Sequence, residues 1–523
     1  MTEEPESEEI EKPLEIPAGA IVGQIILDKH DVFNLEDERE NNALYRLINK
    51  LHIITKDSVI ESQLLLEPGD VYSKRLADES ARLLRQKKYL FDARVKAVKV
   101  ENGVVDLQVT TRDVWTLRPG ITFSRSGGES NTGVDLEELN LLGYGQKIRI
   151  ARDENVERTT KSFELQDPHI LNSRVRGSLL LSDNSDGHFN KISIARPFYA
   201  LDSRWSLGMS GRDQELRTSF WSLGEQQAEY QQERQFASVF GGWSKGLKDN
   251  WVRRYRAGII FDDNVFDEVE NGTLDPIVPE DRRLIYPFLG IEFLEDDFET
   301  ATNKEQLGRT EDFYMGQRLT ATLGYASESF DADRDALLYT SNYSRGFGSL
   351  LTKALLTSAS VSGRLEKGDS RNTLVGIRAR YYQQQTKKAM FFATIEGVHG
   401  HDLDLDTVVA LGGDTGLRGY PLRYQSGESK VLFTVEQRYF WDWYPFRLFR
   451  VGGAVFADIG KVWGESPVNE PRQGWLRDVG FGLRFASTRT GFRRMFHVDI
   501  AFPLDGDASI DNVQIILESK RTF

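Results

Sequence analysis

Gly412-Gly413-Asp414-Thr415-Gly416-Leu417-Arg418-Gly419-Tyr420 reads as a loop built from glycine and polar residues that carries a single long cation. The run that follows, Lys430 to Trp443, alternates, with Leu432, Thr434, Glu436 and Arg438 on one side of a strand. In the next, Val451 to Trp463, Asp458 shares its parity with Gly452, Ala454 and Gly460. A glycine-lined face holding a carboxylate, beside another holding Glu436, is a place where the Arg418 side chain can dock. An isolated Arg-Gly-aromatic triplet is also a common surface turn. The surrounding chain therefore decides.

From Trp115 onward that chain is organised in period-two segments separated by polar, glycine-rich connections, and all nine tryptophans lie at or after that position. In Arg494 to Leu504, Phe496, Val498, Ile500 and Phe502 share one face, while His497, Asp499 and Ala501 share the other. In Val513 to Phe523, Val513, Ile515, Leu517 and Phe523 oppose Gln514, Glu518 and Lys520. A barrel in lipid needs this division, because hydrocarbon solvates neither charges nor open backbone. A soluble β-sandwich alternates too. Aromatic clusters at strand ends, such as Tyr439 to Phe446, favour the interfacial girdles of a membrane barrel.

Composition permits this reading. Hydrophobic residues make up 39% of the 523 and the mean hydropathy is −0.45, with no apolar run long enough for a transmembrane helix. Barrel strands escape that test, since only alternate residues meet lipid. With no cysteine, neither a disulfide frame nor a thiolate metal site is available. A net charge of −14 argues against nucleic acid as a partner. Residues 1–19 read as an acidic disordered tail, with seven glutamates in the first fifteen positions. They lack the apolar core of a signal peptide, so the sequence is expected to begin at a processed or engineered N-terminus.

Residues 20–113 read as a small α+β unit. Ala20 to Val32 is an expected strand. A helix over Glu38 to Leu51 groups Leu44, Leu47 and Leu51 on one apolar face. Ser73 caps a second helix over Lys74 to Lys88, and two strands, Ala93 to Val100 and Val104 to Thr110, meet at an Asn102-Gly103 turn. The order is β-α-α-β-β.

The segments LRGY (417–420), TVEQRY (434–439), FADIGKVW (456–463), GFGLRF (480–485) and HVDIAFPL (497–504) together resemble the C-terminal barrel of the outer-membrane β-barrel assembly and translocation superfamily, which includes BamA, TamA and the two-partner secretion translocators. Glu138-Leu139-Asn140-Leu141-Leu142-Gly143-Tyr144-Gly145 resembles the turn after the family's first strands, and LEPGDVY (66–72), LLRQKKYLFDARV (83–95) and VVDLQVTTRD (104–113) resemble its polypeptide-transport-associated (POTRA) repeat. One such module is visible, where BamA-type proteins have several.

The resemblance implies a mainly β chain: a transmembrane antiparallel barrel over 114–523, of sixteen strands in the family, behind one POTRA module. The acidic stretches Phe261 to Asp281 and Glu295 to Asp312 are expected to be extramembrane loops. In the family the loop arginine pairs with acidic residues of the inner wall, which implies a lock of Arg418, Gly419 and Tyr420 with Glu436 and Asp458. The terminal aromatic Phe523 matches an outer-membrane signal. The first and last strands form a seam, here Ile121 and Phe123 against Val513, Ile515, Leu517 and Phe523. The implied function is protein insertion or translocation at the bacterial outer membrane, with the module in the periplasm. The implied partners are the bilayer, unfolded outer-membrane or secreted clients, and periplasmic or lipoprotein subunits. The alternatives are an anchor or export pore for a partner, and a soluble β-rich binding protein.

No enzymatic constellation accompanies this. His-x-x-x-His, His-Glu-x-x-His and P-loop patterns are missing, and neither Gly412-Gly413 nor Gly480-Phe481-Gly482 precedes a helix. The expectation is no catalytic residue, no metal and no cofactor.

Overall fold

The computed structural model describes residues 14–520 except 271, 469–470, 492–493 and 509. The acidic start up to residue 13 and Phe523 thus lie outside the described residues. The chain forms two compact units, one of residues 1–116 with 142–145 and 489–491, the other of the remainder.

The first unit contains β1 (Ile21–His30), α1 (Ala43–Leu51), α2 (Asp57–Glu61), α3 (Lys74–Arg85), β2 (Leu90–Glu101) and β3 (Val104–Asp113). Its sheet runs β1-β3-β2, with β1 parallel and β2 antiparallel to the central β3. Asn102 and Gly103 both take positive φ (50° and 77°), the geometry a two-residue hairpin needs. Alternate residues Val105, Leu107 and Val109 of β3 pack with Ile60 of α2 and with Ala77, Ala81 and Leu84 of α3. Ser73 Oγ accepts the Leu76 N–H at the start of α3.

Two expectations change here. The short α2 adds a third helix. The leucine face of α1 is not core: Leu44, Leu47 and Leu51 are all exposed, and the helix instead buries Tyr45, whose ring stacks on Phe33 at 3.9 Å. α1 starts at Ala43 because Asn42 caps it through the Tyr45 N–H. The other helices and the sheet close the core without the α1 leucines.

The second unit is a closed antiparallel barrel. Its strands are β4 (Leu117–Ser126), β5 (Glu129–Glu138), β6 (Lys147–Glu154), β7 (Thr159–Asp167), β8 (Arg176–Asn184), β9 (Gly187–Arg196), β10 (Trp205–Ser222), β11 (Glu225–Lys248) and β12 (Trp251–Asp267). The two-residue β13 (Asp275–Pro276) lies on β11, and β14 (Arg282–Glu295) follows. A small hairpin, β15 (Phe298–Thr302) with β16 (Thr310–Tyr314), precedes β17 (Arg318–Ala326), β18 (Ala336–Ser349), β19 (Lys353–Glu366), β20 (Asp369–Thr386) and β21 (Ala389–His401). A second small pair, β22 (Val409–Leu411) and β23 (Gln425–Gly427), forms the stem of the arginine loop. Last come β24 (Ser429–Phe440), β25 (Phe449–Trp463), β26 (Leu476–Ser487), β27 (Met495–Pro503) and β28 (Gln514–Lys520).

Among the described residues, without β13 and the two small pairs, twenty strands close the barrel, not sixteen. The difference comes from turns such as Leu223-Gly224, Asp249-Asn250 and Lys367-Gly368, which spend two residues where longer loops were expected. The expected loop from Phe261 is also shortened, since β12 continues to Asp267.

Residue parity fixes what faces lipid. Trp205, Trp243 and Tyr255 align across β10, β11 and β12, the last two rings stacked at 6.0 Å, and Leu207, Val239 and Ile259 lie on the same exposed face. An apolar band edged by aromatics is what a bilayer solvates. β11 has 24 residues, well beyond the ~9–11 that span hydrocarbon. Its outward positions accordingly turn polar at Gln231, Glu233 and Gln235, so this Gln-rich stretch is a solvated strand extension.

Candidate functional site: the lumenal lock and the barrel seam

On β24 and β25 the inward parity carries Thr434, Glu436 and Arg438 and Phe456, Asp458 and Gly460, with Glu436 opposite Phe456 and Thr434 opposite Asp458. The loop between β22 and β23 brings Arg418 to this wall. Its Nε and Nη2 donate to the two oxygens of Asp458 (2.7 and 2.9 Å), and Nη1 donates to Glu436 Oε1 (2.8 Å). The guanidinium also lies 3.4 Å from the centroid of Phe456. Burial disfavours the Arg418 charge, but Asp458 and Glu436 outweigh it and raise the pKa above that of a free guanidinium.

The neighbouring residues hold the loop in register. The Gly419 N–H donates to Asp478 Oδ2 (3.1 Å). A Cβ on Gly419 would sit 2.7 Å from Asp478 Cβ, so the close approach requires glycine. Tyr420 OH donates to the Arg477 carbonyl (2.8 Å). Gly480 makes room for Phe456, since a Cβ there would meet Phe456 Cζ at 2.3 Å. Further along, Leu422 N–H donates to the Gly127 carbonyl (3.0 Å) and Ser126 Oγ donates to the Gly413 carbonyl (3.0 Å). One loop thus grips the β24–β26 wall and the turn that ends β4.

A second inserted segment was not expected. Most of Glu295 to Asp312, expected from sequence to be an extramembrane loop, lies in the β15–β16 hairpin. It packs Leu307, Phe313 and Met315 against the inward residues Ala354, Tyr382, Phe392 and Ala454. Arg438 joins the two insertions: Nε donates to Glu436 Oε2 (2.7 Å) and Nη1 to the Lys304 carbonyl of the hairpin (2.9 Å). Asp458, Arg418, Glu436, Arg438 and the Lys304 carbonyl therefore form one continuous polar chain. Phe456, Arg438, Asp478 and Gly480 were not singled out, although Phe456 and Arg438 share the parity of Asp458 and Glu436.

The hairpin satisfies its own charge. Glu311 accepts the Lys304 and Glu305 N–H groups at 2.9 and 3.0 Å. Desolvation outweighs these bonds, and with the neighbouring Glu305 charge it pushes the carboxyl up to about 8. A carboxyl raised in the folded state binds more protons folded than unfolded. Its penalty is therefore zero below the ordinary carboxylate range and grows as pH rises to about 8. The hairpin is expected to loosen over that window. In this cysteine-free chain, an environment-sensitive dye on Gln306→Cys should report the change, and Glu311→Gln should flatten the profile.

The seam lies between β4 and β28, where Leu517 opposite Arg125 is the single register pair among the described residues. Neighbouring strands elsewhere in the barrel share at least seven, as at β27–β28, β14–β17 and β5–β6. Ile121 and Phe123 are exposed on β4, with Ile121 88% accessible, and Val513 and Ile515 are exposed on the other side. Leu517 is at the paired position, and Phe523 lies outside the described residues.

Residues 50–114 match the family model described as POTRA, surface antigen variable number repeat. A provisionally named outer membrane protein assembly factor of Treponema pallidum (strain Nichols) is 36% identical over 121 residues, which is 22% of this chain and 14% of that protein. The aligned region thus spans about a seventh of this curated relative. The structure also superposes on CdiB from Escherichia coli (TM-score 0.47, 12% identity, 96% of this chain and 76% of that one). For BamA from Haemophilus ducreyi lacking POTRA domains 1–3, the values are 0.38, 12%, 95% and 84%. The chain thus carries a segment similar to the POTRA family, residues 50–114, and after it in sequence a closed antiparallel barrel.

Proposed function

We propose that this barrel inserts or translocates proteins at the bacterial outer membrane, receiving unfolded clients on the POTRA module in the periplasm and passing them at the β4–β28 seam. The observation that carries the reading is the single register pair at that seam. A strand edge without a ladder partner offers free N–H and C=O groups to an incoming strand. Among the described residues, opening the closure breaks that one pair. In the module, β2 is an edge strand and supplies the corresponding template for an extended client.

Joining the seam tests it. A disulfide between Phe123→Cys and a cysteine placed at Ile515 or Leu517, whichever forms in the membrane, is expected to abolish client assembly or secretion, and reductant is expected to restore it. Undiminished client handling by the oxidised barrel would remove the lateral route and favour passage through the lumen. With a lateral route, the polar chain in the lumen serves to hold the loop that touches Gly127, beside the first strand of the seam.

A further inference from the structure

The lumenal lock and the hairpin cover the β18–β27 side of the inner wall. The β8–β12 side is built differently. Its inward positions include Ser178, Ser193, Ser210, Ser238, Gly208 and Gly258, small residues of which Ser178 and Ser193 (2.7 Å) and Ser210 and Ser238 (2.8 Å) bond to each other across strands. The rings of Phe240 and Phe288 lie over Gly208 and Gly258, while the paired serines project little and leave space in front of them.

Into that space point Arg176, Lys191, Arg212, Arg234, Arg254 and Arg256, on the parity opposite to the Trp205–Trp243–Tyr255 girdle. The same face of these five strands carries one carboxylate, Asp262, which binds Arg234 through two 2.8 Å contacts. Arg254 is matched by Glu292 on β14 (2.9 Å). Arg176, Lys191, Arg212 and Arg256 have no carboxylate of a described residue within ion-pair distance. Arg212 stands directly opposite Lys191, its guanidinium 5.4 Å from the Phe236 ring, and its Nε has no hydrogen-bond partner. Several cations elsewhere on the inner wall are matched, although Arg450 on β25 meets the Tyr444 ring. Arg118 contacts Glu137 at 2.8 Å, Lys147 contacts Glu164 at 2.5 Å and Arg380 contacts Glu305 at 2.9 Å.

Four unmatched cations in a low-dielectric wall are tolerable only if water or mobile ions solvate them. Charges of one sign lining a confined aqueous space concentrate the opposite ion and exclude their own. We propose that the β8–β12 wall borders a water-filled path through the lumen that conducts small anions in preference to cations. This path is separate from the seam, and it stands or falls independently of client transport.

The test is a reversal-potential measurement on the full-length protein in planar bilayers under a tenfold KCl gradient. The expected result is a conductance whose reversal potential lies toward the chloride equilibrium value. Lys191→Gln combined with Arg212→Gln should move it toward or past zero, as should Arg176→Gln combined with Arg256→Gln. Arg152→Gln, on the outward parity of β6, should leave it in place. Heat-modifiable gel mobility shows that each variant is folded. A cation-selective or non-conducting wild-type barrel overturns the proposal, and so does a selectivity that neither double variant changes.

Discussion

Arg418→Ala is expected to lower the stability of the barrel by about 3–5 kcal/mol, the cost of leaving buried charges without their partner. The side chain is the only one seen to satisfy both oxygens of Asp458 among the described residues, and Asp458 is 2% exposed. Glu436 keeps Arg438 in the variant, whereas Asp458 keeps no cation of comparable geometry. The contact with the Phe456 ring is lost as well. Arg418→Lys should recover only a minor part, because an ammonium cannot offer the planar fork that bridges two carboxylates. The measurement is the urea midpoint of the heat-modifiable folded band. Lys161→Ala is the control: it breaks an exposed pair at 3.8 Å to Asp183, for which ~1 kcal/mol or less is expected. Equal midpoints for Arg418→Ala and Lys161→Ala would show that the buried pair does not stabilise the barrel.

What the sequence discloses here follows from the two-residue period of a strand. Parity alone puts Glu436 and Asp458 on one wall and separates His497, Asp499 and Ala501 from the lipid-facing Phe496, Val498 and Ile500, as the structure has them. Parity gives no information on how many strands fit in a given length, since that depends on turns whose brevity is spread over many local choices. It also could not reveal the hairpin. Acidic residues such as Glu299, Glu305 and Glu311 look like a solvated loop until their partners are known: the Leu350 N–H, Arg380, and the Lys304 and Glu305 N–H groups. Periodicity found the leucine face of α1 but not what that face meets. Gly480 illustrates a further limit, because its need for a bare Cα arises only from the Phe456 ring of the adjacent strand.

The largest non-additive effect is expected between Arg418 and Arg438, which share Glu436. Removing Arg418 alone leaves that carboxylate with the Arg438 Nε bond, and removing Arg438 alone leaves it with Arg418 Nη1. Removing both strands a buried carboxylate that is 5% exposed. The Arg418→Ala, Arg438→Ala double variant should therefore be less stable than the sum of the single changes by ~1–3 kcal/mol, the upper part of the range for residues in one network. Because Arg438 also binds the Lys304 carbonyl, the coupling extends to the hairpin. A dye on Gln306→Cys should consequently respond to Arg418→Ala although no contact joins those two residues in the polar chain, and a dye on Asp414→Cys should respond to Arg438→Ala. Additivity within ~0.5 kcal/mol, with each dye silent to the distant change, would mean that the two insertions are held independently. Coupling of the expected size would mean that loosening either insertion weakens the hold of the other. The loop that meets Gly127 beside the seam would then respond to events at the hairpin, through a single carboxylate.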